Sequence, residues 1–423
     1  MTVATHRRGE PSPLVFHLLA ALSAYTQALL AAPRADDEDF PWSPHLAAEA
    51  AALGPGLDRI EVAREIGARL SATLRGIETW QSHPYRRAVV DPPAIWSEGG
   101  ARLLDYGQAP EATDPDGPPV LVIPSLINRA YVLDLDRPWS MLRWLAAQGL
   151  RPALLDWGEP GRAEAGFALD DYGARRLEPA LARLREASGR APALVGYCMG
   201  GTLAAGLAAR RPEGVSALAV LGAPWDFAST RGIAGQLRAM VRAGGPARVE
   251  RQLDTLGEAF GFVPVSTFQG LFALVSPMQA TLKFQRFARL DPASAAARHF
   301  VALEDWLADG VAMPAPAARN LLVDWQIRNA TATGGWRFLG APVDPTAIRA
   351  PTLVLAGARD SIAPAQLALP LARAIPGARA LEPRTGHVGM IVGSLARQEV
   401  WRPLAAFLHA HAAPAVRTPF PAA

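Results

Sequence analysis

The sequence predicts an α/β fold, a mostly parallel sheet covered by helices. Two observations carry that expectation. From Pro118 onward, short apolar runs alternate with helical stretches, the rhythm of strand–helix–strand units. The runs are also continuously apolar, as in Val120-Leu-Val-Ile123, and a strand without alternation is buried on both faces.

The elements follow in order. Leu14 to Ala32 is apolar but broken by His17, Ser23, Thr26 and Gln27, after a basic His6-Arg7-Arg8 triplet. Those breaks suit neither a spanning helix nor a secretory signal, so the expectation is an amphipathic helix packed on the body of the protein, not an integral membrane segment. A helix lying on an apolar surface is the sharper alternative. Pro33 to Pro44, with Asp36, Asp37, Glu38 and Asp39, reads as a linker. Leu57 to Trp80 regains helical periodicity, with Ile60, Ala63, Ile66, Leu70 and Leu74 roughly on one face. Tyr85 to Trp96 reads as extended, and Ala101 to Tyr106 as a short strand.

In the core, strands are expected at Val120–Pro124, Ala153–Asp156, Ala191–Val195, Ser216–Leu221, Thr352–Ala356 and Ala378–Leu381. Helices are expected at Ser140–Gln148, Asp171–Ser188 and Gly201–Arg211. Between Pro224 and Ala350 the alternation stops, and Phe and Trp accumulate in mostly helical sequence. An insertion of that size between strands is expected to form a cap over the strand ends. The expected organisation is an N-terminal helical and extended segment over 1–115, core halves over 116–224 and 350–411, a helical cap over 225–349, and a flexible tail over 412–423.

Composition excludes several classes. Half of the 423 residues are hydrophobic and 19% are charged, so a large core forms and wholesale disorder is ruled out. One cysteine permits no intramolecular disulfide and no cysteine-rich metal site, and no metal is expected. A net charge of +3 without a basic stripe argues against nucleic acid as a partner. Lys283 is the only lysine, so a phosphate loop ending in Gly-Lys-Ser/Thr is absent.

The chemistry concentrates in Val195-Gly-Tyr-Cys-Met-Gly-Gly201, a Gly-x-nucleophile-x-Gly box between a strand and a small-residue helix. That context is a nucleophile elbow, and the sole cysteine stands at its centre. A thiol at a helix N-terminus gains thiolate character, and the Met199 N–H would face the reacting carbonyl oxygen. The orienting acid and the base follow in chain order. Asp360 lies just past the strand ending near Gly357, and His387 lies on the loop Arg384–Gly389 beyond a short strand. His387 would take the proton of Cys198, with Asp360 holding the imidazole. A second oxyanion donor is expected from the Pro124–Asn128 loop, at Leu126 or Ile127. Tyr131, Asp134, Trp157 and Asp226 sit at other strand ends and read as structural.

Gly196-Tyr-Cys-Met-Gly-Gly-Thr202 resembles the cysteine lipase-type box of polyhydroxyalkanoate synthases. Pro124–Asp134, Leu155-Asp-Trp-Gly158, Ala223–Phe227, Arg359–Pro364 and Gly386–Gly389 are similar to the same family, nearest to its short synthases that work with an accessory subunit. The family often carries a histidine directly after the aspartate, where this chain has Ser361. The resemblance implies an α/β-hydrolase fold with a cysteine nucleophile and a cytoplasmic acyltransferase that polymerises (R)-3-hydroxyacyl-coenzyme A. It implies Cys198 as acyl carrier, Asp360 and His387 as its partners, and no cofactor beyond the coenzyme A thioester as substrate. It further implies a polyester chain, a granule surface, and an accessory subunit or a homodimer as partners. A hydrolase using the same three residues, a thioesterase or a polyester depolymerase, is the alternative.

Overall fold

The structure, a computed structural model, describes residues 58–228, 245–275 and 278–411. It also describes 14–34 and single positions or short runs at 8, 9, 11, 37, 39, 40, 42, 47–49, 52, 235, 238 and 239. The expected linker over 33–44 falls only partly within these residues, and the expected tail over 412–423 falls outside them. The chain divides into two compact units, residues 1–86 with 269–308, and residues 87–268 with 309–423. The expected insertion over 225–349 is thus shared between units, and the expected N-terminal segment over 1–115 is split after Arg86.

The first unit contains the helices Leu14–Ala31, Arg59–Ser82, Gln279–Phe287 and Ala295–Ala308. Asp58 caps the second of these by accepting from the Ile60 amide at 2.9 Å. The core is aromatic: Ile77, Trp80, Phe284, Phe287, Ala297 and Val301 are buried together, and the rings of Phe287 and Phe300 stack at 4.2 Å. The inward stripe of Arg59–Ser82 is not the expected one. Thr73, Gly76, Ile77 and Trp80 are buried, whereas Ile60 and Leu74 are exposed. A polar anchor explains the rotation, because the Gln285 side chain reaches Thr73 Oγ1 at 3.2 Å and Tyr25 Oη at 3.0 Å. A buried amide must be satisfied, so Thr73 rather than Leu74 turns inward. In Leu14–Ala31 only Ala21 and Tyr25 are buried, and Val15, Leu19, Leu22 and Leu30 are exposed. No charged residue lies between 14 and 31, and its exposed polar side chains include Ser23, Thr26 and Gln27, one turn apart. By length and composition alone, Leu14–Arg34 is long and apolar enough to cross a membrane.

The second unit is built on an eight-stranded sheet. Its strands are β1 (Ala94–Glu98), β2 (Ala101–Asp105), β3 (Pro119–Ile123), β4 (Arg151–Asp156), β5 (Ala193–Tyr197), β6 (Leu218–Leu221), β7 (Thr352–Leu355) and β8 (Arg379–Leu381). The order is β1-β2-β4-β3-β5-β6-β7-β8. Only the β1–β2 and β2–β4 pairings are antiparallel, and the rest are parallel. Every residue of β3, β5, β6 and β7 is buried, as their unbroken apolar sequences require. The two antiparallel strands come from sequence expected to precede the core, so the sheet begins earlier than predicted. The expected helix over Asp171–Ser188 is interrupted by a π-turn at Gly173–Leu177 before it continues as Glu178–Ser188.

The centre of the sheet is held by glycines. A Cβ on Gly196 would lie 2.4 Å from the Gly201 Cα, and one on Gly200 would lie 2.2 Å from the Ile123 carbonyl oxygen. The helix Met199–Arg210 therefore seats directly on β5 and on the end of β3. Backbone cannot yield as a flexible side chain can, so Gly200→Ala should lower unfolding stability by about 1–3 kcal/mol, by overpacking. Gly67, mid-helix with nothing within 4 Å of an added Cβ, gives the opposite sign. Gly67→Ala should raise helix stability by about 0.5–1 kcal/mol. Urea titrations of the two variants check both signs.

Candidate active site

The turn between β5 and Met199–Arg210 is one residue long. Cys198 occupies it at φ 55° and ψ −130°, a region L-residues seldom adopt, at a cost of order 1–3 kcal/mol. Two backbone bonds fix it: its amide donates to the Leu221 carbonyl at 2.9 Å, and its carbonyl accepts from the Gly201 amide at 2.8 Å. The residue is partly buried at the C-terminal end of β5. The amide of Met199, first in the helix, has no intrahelical acceptor and stands beside the thiol.

Two further loops at strand C-terminal ends complete the cluster. Asp360, beyond β7, is buried, and its Oδ1 accepts from the amides of Ile362 and Ala363, both at 2.8 Å. That pair of bonds turns Oδ2 toward His387, whose Nδ1 lies 2.7 Å away. His387 lies beyond β8 and is itself buried. The structure therefore brings Cys198, Asp360 and His387 together, in the chain order the sequence suggested. Burial disfavours the charged imidazole, but electrostatic and hydrogen-bonding interactions with Cys198 and Asp360 outweigh it. The net effect pushes the His387 pKa up to about 10.

The expected oxyanion loop also has defined geometry. The Ile127 amide donates to Ser125 Oγ at 3.3 Å, so of the two expected donors this one is already engaged, and Leu126 is the one left. The indole of Trp157 donates to the Pro124 carbonyl at 3.1 Å and anchors the loop's start. Asp134 is structural, as expected: it is buried, accepts from the Tyr106 hydroxyl at 2.9 Å and pairs with Arg143 at 2.9 Å. Asp226 likewise accepts from Asn329 Nδ2 at 2.8 Å.

Two residues at the site escaped the sequence reading. Tyr197 packs its ring on the His387 imidazole, with centroids 5.2 Å apart. Gly222 follows β6 at φ 56°, and a Cβ there would lie 3.1 Å from His387 Nδ1. The glycine just past a strand end was the available signal for the second. Nothing in the sequence marked the first.

Comparison with known proteins follows the same lines. The family model described as the alpha/beta hydrolase fold matches residues 118–394. The poly(3-hydroxyalkanoate) polymerase subunit PhaC of Haloferax mediterranei is 31% identical over 311 residues, covering 73% of this chain and 61% of its own length. That of Haloarcula marismortui is 30% identical over 317 residues, covering 73% of this chain and 65% of its own. That of Allochromatium vinosum is 27% identical, covering 73% of this chain and 85% of its own. The chain thus spans less than two thirds of the first two relatives and most of the third.

The electrostatics yield a direct expectation. With its pKa near 10, the His387 ring should remain protonated at pH 8 and lose its proton only as the pH climbs through about 10. Asp360→Asn and Cys198→Ala each remove an interaction that favours the cation, so each should move the midpoint down. Histidine ring 15N shifts, followed against pH, check this.

Proposed function

The chain belongs to the α/β-hydrolase fold family, and from that premise we propose that it is an acyltransferase that polymerises (R)-3-hydroxyacyl-coenzyme A into polyhydroxyalkanoate. The observation that carries the reading is the strained cysteine on the strand-to-helix turn, beside an imidazole whose other nitrogen meets a buried carboxylate at 2.7 Å. Similarity to three poly(3-hydroxyalkanoate) polymerase subunits supports the substrate class.

The proposed steps use only this chain's groups and the substrate. The sulfur of Cys198, its proton already held by His387, attacks the thioester carbonyl while the carbonyl oxygen takes up negative charge facing the amides of Met199 and Leu126. Collapse breaks the bond to the coenzyme A sulfur, which leaves with the proton held by His387. The neutral imidazole then takes the proton of an incoming 3-hydroxyl group. That oxygen attacks the Cys198 thioester, an ester bond forms, and the thiolate–imidazolium pair is restored. Asp360 keeps Nδ1 protonated and the ring aligned throughout. Charge separation in the resting site makes the first attack easy, whereas the hydroxyl, with a far higher pKa, depends on the oriented base. The same reading makes the protein cytoplasmic, working at a polyester surface, with an accessory subunit or a second copy as partner.

Two measurements test this. Purified protein given (R)-3-hydroxybutyryl-coenzyme A should deposit insoluble polymer, and release of free acid in its place would assign the same three residues to hydrolysis. Cys198→Ala should abolish coenzyme A release altogether, and Cys198→Ser should fall far below the unaltered protein. Asp360→Asn should divide the reaction: the burst of coenzyme A release in the first turnover persists, while chain growth drops by about 100-fold or more, the scale of lost general-base assistance. Equal loss of both phases contradicts the division of roles.

A further inference from the structure

Tyr197, immediately before the nucleophile, ends β5 as part of the sheet, yet its side chain is committed to another loop. It is 3% exposed. Its ring lies against the His387 imidazole, 5.2 Å between centroids with 32° between the planes. Its hydroxyl donates to the His387 carbonyl oxygen at 3.3 Å. One side chain thus meets both the ring and the backbone of a residue 190 positions away. We propose that Tyr197 is a positioning residue for this site: its ring face supports the imidazolium, and its hydroxyl pins the loop that carries His387 in register with the thiol.

The inference rests on the reading of Cys198, His387 and Asp360 as reacting machinery, and the physics behind it is separable into two parts. An aromatic face is negative and attracts a cation laid on it, so the ring favours the protonated imidazole in a buried place where cations are costly. The groups facing that imidazole are Cys198 from the turn, Asp360 from the loop after β7, and Tyr197 from β5, with the side-chain-free Gly222 beside its Nδ1. The hydroxyl works on the backbone. Burial, reinforced by charge on Cys198 and Asp360, keeps the phenol well above its usual range, so it stays a donor across the working pH. Because Tyr197 and Cys198 are adjacent, movement of the elbow and movement of the histidine loop are mechanically linked.

Two variants separate the parts. Tyr197→Phe keeps the ring and removes the donor, whereas Tyr197→Leu removes both, and Tyr197→Met replaces the leucine variant if thermal melting shows that it does not fold. Three readouts need no substrate: the His387 titration, the pH dependence of alkylation at Cys198 by iodoacetamide, and amide exchange over 384–390. The chain's single cysteine makes the alkylation site-specific. Failure of the polymerase reading is therefore distinguishable from failure of this one. The phenylalanine variant should titrate as the unaltered protein does but exchange its 384–390 amides about 3- to 10-fold faster. The leucine or methionine variant should show the faster exchange and also a His387 midpoint about 0.5–1 pH unit lower, with the alkaline limb of the alkylation profile moved down by the same amount. A folded leucine or methionine variant with unchanged titration and alkylation overturns the role of the ring. Unchanged exchange in the phenylalanine variant overturns the role of the hydroxyl.

Discussion

Everything at the site depends on how closely one helix approaches two strands. Met199–Arg210 rests on β5 and on the end of β3 at distances that no Cβ tolerates, and Gly196 and Gly200 are the residues that permit it. Once the helix is seated there, the chain has a single residue in which to leave the strand and enter the helix. That residue is forced to φ 55°. The strain is maintained by the sheet, because β5 pairs with β3 on one side and β6 on the other, and the Cys198 amide continues the β6 pairing through the Leu221 carbonyl. A conformation costing a few kcal/mol persists only where its surroundings over-determine it. Here they also present the thiol beside a free helix N-terminus.

The second constraint is electrostatic. An imidazole as buried as His387 should be neutral, yet its interactions with Cys198 and Asp360 push its pKa up to about 10. Its Asp360 partner is oriented by two amides of its own loop, so the direction of the carboxylate is set by backbone and not by the histidine. That order of dependence explains how the site is assembled in the folded protein. The elbow positions sulfur, the β7 loop positions the carboxylate, and the imidazole is captured between them. Gly222 leaves room beside its Nδ1, and the Tyr197 ring packs against it.

What the sequence made legible follows from this. The elbow is local: strand, glycines, cysteine and helix lie within a few residues, so their pattern alone identifies the turn. Asp360 and His387 are distant in the chain but lie just beyond apolar strands, and a parallel sheet gathers strand C-terminal ends at one edge. What was not legible depends on partners remote in sequence. Residues 269–308 group with 1–86 through packing such as Trp80 against Phe284, rather than remaining with the rest of the insertion. The buried face of Arg59–Ser82 is set by Gln285, more than two hundred residues away, so periodicity alone selected Leu74 where Thr73 turns in. Tyr197 was hidden for the same reason, since its role depends on a loop 190 residues further on.

Acyl transfer through the strained thiol is open to direct measurement. Rapid mixing of the unaltered protein with (R)-3-hydroxybutyryl-coenzyme A, acid quenching within the first turnover and mass mapping of the peptides locates the acyl group. The predicted result is a hydroxybutyryl group confined to the peptide containing Cys198, bound as a thioester that hydroxylamine removes. An acyl group on any other residue, or coenzyme A release with that peptide unmodified throughout, contradicts it.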